Sequence, residues 1–143
     1  MRSARLICAF VFAAVLLFLA GLHAYWALGG TWGLSSAVPT INGRCTINAT
    51  SLATSVVAFL LVLGALTICG RVGLFATGSW SGYFGFASWG LCALFLLRVV
   101  GDFATFGLFK TVHGTPFAYW DTHLYSPLCL ILAVLAGVVA SGP

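Results

Sequence analysis

The chain reads as an all-α integral membrane four-helix bundle. Two observations predict this. Only 6% of its 143 residues are charged while 62% are hydrophobic, against roughly 25% charged in soluble domains. Its apolar residues also gather into four runs close to the roughly 20 residues that a spanning helix needs. The length suits one domain, residues 1–143. The apolar runs do not alternate with polar residues as barrel strands do.

The first span is predicted over 6–28, the second over 52–69, the third over 82–100 and the fourth over 123–140. Arg2 and Arg5 before Leu6 also suit a signal peptide, but Leu22 is large where a cleavage site at Ala24 wants a small residue, so the segment is read as a retained helix. Gly29-Gly30 stops it, as glycine does in a left-handed cap. Trp26, Trp32, Trp80, Tyr83, Trp120 and Tyr125 flank the span ends as an interfacial aromatic belt. Asp121 precedes the fourth run and suits a helix N-cap, with Pro127 in or near the first turn.

Arg2, Arg5 and Arg71 fall on one side, and the N-terminal pair argues for a cytoplasmic N-terminus and, with an even number of spans, a cytoplasmic C-terminus. The chain is expected to cross its membrane several times. Asn48-Ala49-Thr50 matches a glycosylation acceptor in an outer loop. The net charge of +4 comes without a basic run, so it speaks for headgroups and topology rather than nucleic acid. The five cysteines form no C-x-x-C, and metal ligation is not expected. They read as small hydrophobic filler.

Both acids, all three histidines and the cations Arg98 and Lys110 fall toward the expected outer end. The candidate ligand-binding residues are therefore His23, Trp26, Arg98, Asp102, Lys110, Asp121, His123 and Tyr125. Arg98 and Asp102 are one helical turn apart and can pair; an inward-facing pair would floor a pocket. The segment from Asp102 to His113 has helical spacing of Asp102, Phe106, Phe109 and His113, which suits an interfacial amphipathic helix with Lys110 at its rim.

Three functions are compatible with this pattern. A binding or accessory module would hold a membrane lipid or another membrane subunit. An isomerase-like enzyme on a lipid-soluble substrate would use Asp102 or His123 for proton transfer, with Arg98 as electrostatic stabiliser. A b-type haem protein would use His23 and His123 as axial ligands, although both lie at helix ends and no cofactor is expected.

"HAYWALGG" and "GDFATFGLFKTVHGTPFAYWDTHLYSPLCL" give the chain its likeness to known proteins. It resembles the small bacterial four-helix membrane proteins known as domain of unknown function 3995. The likeness rests on His23, Tyr25, Trp26, Gly29, Gly30, Gly101, Asp102, Gly107, Phe109 and Lys110, then on Phe117, Asp121, Tyr125, Ser126, Pro127, Leu128 and Cys129. It implies four helices in a bacterial inner membrane and supplies no activity.

Overall fold

The computed structural model describes residues 2–41, 44–45, 50–75 and 80–142. Four helices in it are long and apolar enough to cross a membrane: Arg2–Ala27, Ser51–Arg71, Ser81–Val100 and Pro116–Ala140. We label the first three α1, α3 and α4. Between α1 and α3 lie a short helix, α2 (Leu34–Ala37), and two paired two-residue strands, β1 (Thr40–Ile41) and β2 (Arg44–Cys45). The fourth span comprises α5 (Pro116–Trp120), a π-turn (Asp121–Tyr125) and α6 (Ser126–Ala140). The glycosylation match falls partly on residues 46–49, and the side chain of Cys45 is likewise outside the described residues.

α1 packs along α3, α3 along α4, α4 along α6 and α6 back along α1, which closes the bundle. Each helix turns a narrow stripe inward. On α1 it is Ala9, Phe12, Ala13, Leu16 and Ala20, the three-and-four spacing of one helical face. These meet Ala65 and Ile68 of α3 and Leu132, Ala136 and Val139 of α6, while Phe95 of α4 places its ring edge-on to Phe12 at 5.8 Å. Small residues let the backbones approach, as is usual between membrane helices. A Cβ on Gly64 would lie 2.9 Å from Leu16, and one on Gly70 would lie 2.7 Å from Phe84. The outward faces stay apolar: Phe18, Phe86 and Leu97 are all exposed. Lipid tails rather than water suit such a surface.

At one end, Trp26 donates its indole N–H to the Trp32 carbonyl at 2.9 Å, and the Tyr25 ring lies where a Cβ on Gly30 would be. Ser51, at the start of α3, donates to the carbonyl of Ala27 at 2.8 Å. The end of α1 is thus tied to the start of α3, and Gly29 at φ +96° makes the turn.

The fourth span departs from the sequence reading. It begins at Pro116 rather than near residue 123, and its N-cap is Thr115, whose Oγ1 accepts from Ala118 N–H at 3.0 Å. Asp121 is therefore not a cap but lies inside a continuous helix. Pro127 sits in that helix too, where it has no N–H to give His123 and its ring would press on that carbonyl. The π-turn just before it absorbs this misfit: Ser126 N–H reaches five residues back to Asp121 O.

Candidate functional site

Asp121 is fully buried and has four donors. Its Oδ1 accepts from Arg98 Nη2 at 2.7 Å. Its Oδ2 accepts from Lys110 Nζ at 2.9 Å, from Gly107 N–H at 2.8 Å and from Ser126 Oγ at 3.4 Å. Lys110 is buried as well, and it donates further to Thr122 Oγ1 at 2.7 Å and to Gly107 O at 3.2 Å. A carboxylate within a membrane span has to be paired, and this one has a cation on each oxygen.

The expected Arg98–Asp102 pair does not form. Arg98 turns to Asp121, and its guanidinium carbon lies 4.4 Å from the centre of the Phe106 ring, a cation–π contact. Its Nη1 is buried with no hydrogen-bond partner among the described residues.

Asp102 instead organises its own loop. Its Oδ1 accepts from the backbone N–H groups of Ala104, Thr105 and Phe106 at 2.9, 2.6 and 3.0 Å, and its Oδ2 from Thr105 Oγ1 at 2.6 Å. Short polar side chains bond nearby backbone in this way, and doing so competes with helix formation. The segment after Val100 is accordingly a folded loop and not an amphipathic helix. Lys110 is in its interior rather than at a rim.

Two glycines let that loop close. Gly101 and Gly107, both at φ +90°, pack back to back, with Leu108 N–H donating to Val99 O at 2.8 Å. This closure delivers the Gly107 N–H to Asp121. Phe103 is held at φ +61°, the only non-glycine with positive φ among the described residues, and its ring stacks on Phe109 at 6.1 Å. A strained residue persists only where its surroundings over-determine it.

The Asp102 carboxyl is pushed up by desolvation, but its bonds to Thr105, Phe106 and Ala104 outweigh that and hold it well below its ordinary 3.8. A carboxyl lowered by folding adds stability above its unfolded pKa and loses it as pH falls through the folded value. Wild-type melting temperature should therefore drop as pH falls below about 3.8. Asp102→Asn should melt lower at pH 6 and show a shallower acid slope, and the difference between the two pH profiles isolates this residue. Parallel profiles would show that the loop does not depend on the charge.

The other expected residues lie in local settings. His23 Nδ1 meets Leu19 O at 2.8 Å, and its ring packs edge-on to Trp26 at 5.0 Å. His123 Nδ1 meets Tyr119 O at 2.8 Å, and its ring stacks on Tyr119 at 4.4 Å. Since a carbonyl only accepts, each Nδ1 carries its proton. Tyr125 donates to Ser36 O at 3.2 Å and packs on Phe117, which ties the fourth span to α2. An open depression of about 470 Å³ lies beside the cluster, lined by His113, Thr115, Tyr119 and Thr122 among others. Thr122, which holds Lys110, joins the two.

The structure thus brings together Arg98, Lys110 and Asp121, with Asp102 one loop away. The sequence names Gly107 and Ser126 only through the family likeness, not as candidate binding residues, and does not single out Thr122. For the loop a signal existed: aspartate followed three residues on by Thr105 is a local turn pattern. The model of a family described as Protein of unknown function (DUF3995) matches residues 7–136. No curated protein and no solved structure matches the chain.

Proposed function

Starting from a chain that belongs to the DUF3995 family of proteins of unknown function, we propose a membrane binding module whose loop-bearing end holds an anionic lipid headgroup. The carrying observation is the charge imbalance at Asp121. One carboxylate faces two cationic side chains, and Arg98 keeps a guanidinium nitrogen without a partner among the described residues and a side chain 28% exposed. An anion beside Arg98 would balance the cluster, and a guanidinium is well shaped for phosphate. The exposed Phe103, Leu108 and Phe109 suit the acyl boundary next to such a headgroup. In this reading the protein is a multi-pass inner-membrane protein with both termini cytoplasmic and this end outward. Arg2 and Arg5 support that orientation.

The test is lipid retention by the detergent-solubilised protein, read by native mass spectrometry with phosphatidylglycerol as probe. Arg98→Gln should weaken retention at this site about tenfold or more, in line with the roughly 1.5–3 kcal/mol of a hydrogen bond to a charged group, while Arg98→Lys should recover part of it. If Arg98→Gln retains the lipid as wild type does, the headgroup reading fails. Labelling of Cys45 from the cytoplasmic side by an impermeant thiol reagent would overturn the orientation.

A further inference from the structure

The depression at the head of the fourth span has a chemistry of its own. It holds about 470 Å³ and is built by the turn into that span, His113 and Gly114, and by Thr115, Tyr119 and Thr122 of the first helical turns. Among the described residues, no aspartate, glutamate, lysine or arginine side chain lines it. Lys110, which bonds Thr122, is buried and already paired with Asp121. A charged ligand would find no carboxylate, ammonium or guanidinium to pair with here, so the lining suits an uncharged one.

Its polar groups are set both to give and to accept hydrogen bonds. Thr115 Oγ1 accepts from Ala118 N–H at 3.0 Å, and its own O–H remains to donate. Thr122 is fixed the other way. Its Oγ1 accepts from Lys110 Nζ at 2.7 Å and donates to Ala118 O at 3.0 Å, which leaves one lone pair and no proton. Tyr119 adds a phenol that does either, and His113 adds an imidazole. Phosphate and carboxylate ions mainly accept, so the Thr122 lone pair opposes them. A polyol brings a donor and an acceptor on every hydroxyl. Tyr119 also supplies a flat apolar surface, being 59% exposed. His123, one turn further along the helix, stacks on its ring at 4.4 Å and leaves the side toward Thr115 for the depression.

We propose that this depression is a sugar site, occupied by the uncharged glycosyl headgroup of a glycolipid. The C–H face of a pyranose ring is weakly positive and packs on the negative face of an aromatic ring, here Tyr119. The sugar hydroxyls then meet Thr115, Thr122 and His113. The volume falls within the roughly 300–1,000 Å³ of small-molecule sites. A free sugar shares this chemistry. The lipid is favoured because the depression lies at the head of a membrane span, with exposed Trp120 and Leu124 further along the same helix for the glycerol and upper acyl chain. Arg98 does not line the depression, so this site stands apart from the anionic headgroup proposed above.

The experiment uses the full-length protein in an amine-oxide detergent, which brings no sugar of its own. Retention is read by native mass spectrometry with glucosyl diacylglycerol and with diacylglycerol of the same acyl chains, and saturation-transfer NMR follows methyl glucoside as the free sugar. The glucosyl lipid should be retained about tenfold better than diacylglycerol, the effect of a few net hydrogen bonds and one ring contact. Tyr119→Ala should abolish this preference, while Tyr119→Phe, which keeps the ring, should keep most of it. Because Tyr119 also stacks on His123, His113→Ala is the second variant. His113 is exposed, so this change should weaken retention several-fold with the melting temperature unchanged. Equal retention of the two lipids by wild type would overturn the site, and so would wild-type retention by both Tyr119→Ala and His113→Ala. Binding of methyl glucoside without retention of the glucosyl lipid would overturn the lipid as its occupant. Phosphatidylglycerol should be held equally by wild type and Tyr119→Ala, and its loss in that variant would overturn the choice of an uncharged ligand.

Discussion

Asp121→Asn should destabilise the protein by about 3–5 kcal/mol, the range for removing one partner of a buried ion pair. The change preserves shape, removes the charge and turns one of the two acceptor oxygens into an N–H donor. Lys110, whose side chain is 4% exposed, would then be a buried ammonium without a counter-ion, and Arg98 would lose its bond to Oδ1. The cost falls on the unpaired cations rather than on the aspartate itself. A triple change of Arg98→Met, Lys110→Met and Asp121→Leu should therefore recover much of the stability, because it removes every ion together. It should also abolish headgroup retention at this end. Unfolding in a denaturing detergent titration measures both variants, and hydrogen exchange at the Gly107 amide reports the cluster locally. If Asp121→Asn unfolds with wild type, the three ions do not hold this end of the bundle together.

The second large effect is expected at the paired glycines. A Cβ on Gly101 would lie 1.9 Å from the Phe106 carbonyl oxygen, and one on Gly107 would lie 2.4 Å from the Gly101 Cα. Both are backbone atoms, so no side-chain rotation relieves the overlap. Each alanine variant should lose about 2–6 kcal/mol, combining about 1–3 for a positive φ with about 1–3 for the forced displacement. Gly29→Ala is the control. Its φ is +96° with nothing near the added Cβ, so only the conformational part applies. Unfolding of the three variants under one condition separates the two contributions. Equal losses at positions 29 and 101 would show that the close packing contributes nothing.

These two predictions concern contacts that no local reading of the chain would find. Arg98 and Asp102 have the spacing of a helical pair, and local spacing favours them. The helix ends at Val100, and the three N–H groups following Asp102 are nearer to its carboxylate than the guanidinium is held. Once Asp102 is engaged in its own loop, Asp121 is the one carboxylate side chain left in the protein for Arg98 and Lys110. It lies 23 and 11 residues away from them along the chain. Only the back-to-back glycine turn brings Lys110 across.

The sequence by itself determined the four spans, the glycine stop after α1, the aromatic residues at span ends and the gathering of polar residues toward one end. Each follows from properties carried by consecutive residues: length, hydropathy and backbone preference. It also pointed to Arg98, Lys110, Asp102 and Asp121 as the ions that matter. The tertiary structure alone decided how they pair and where the fourth helix begins. Thr115 rather than Asp121 became the cap, because the helix starts at Pro116, where Thr115 Oγ1 accepts from Ala118 N–H, and the π-turn makes the interior position of Asp121 compatible with Pro127. Partner choice among scarce charges in a low-dielectric setting depends on which ones the packed backbone brings within about 3 Å, and that distance exists only once the loop has closed.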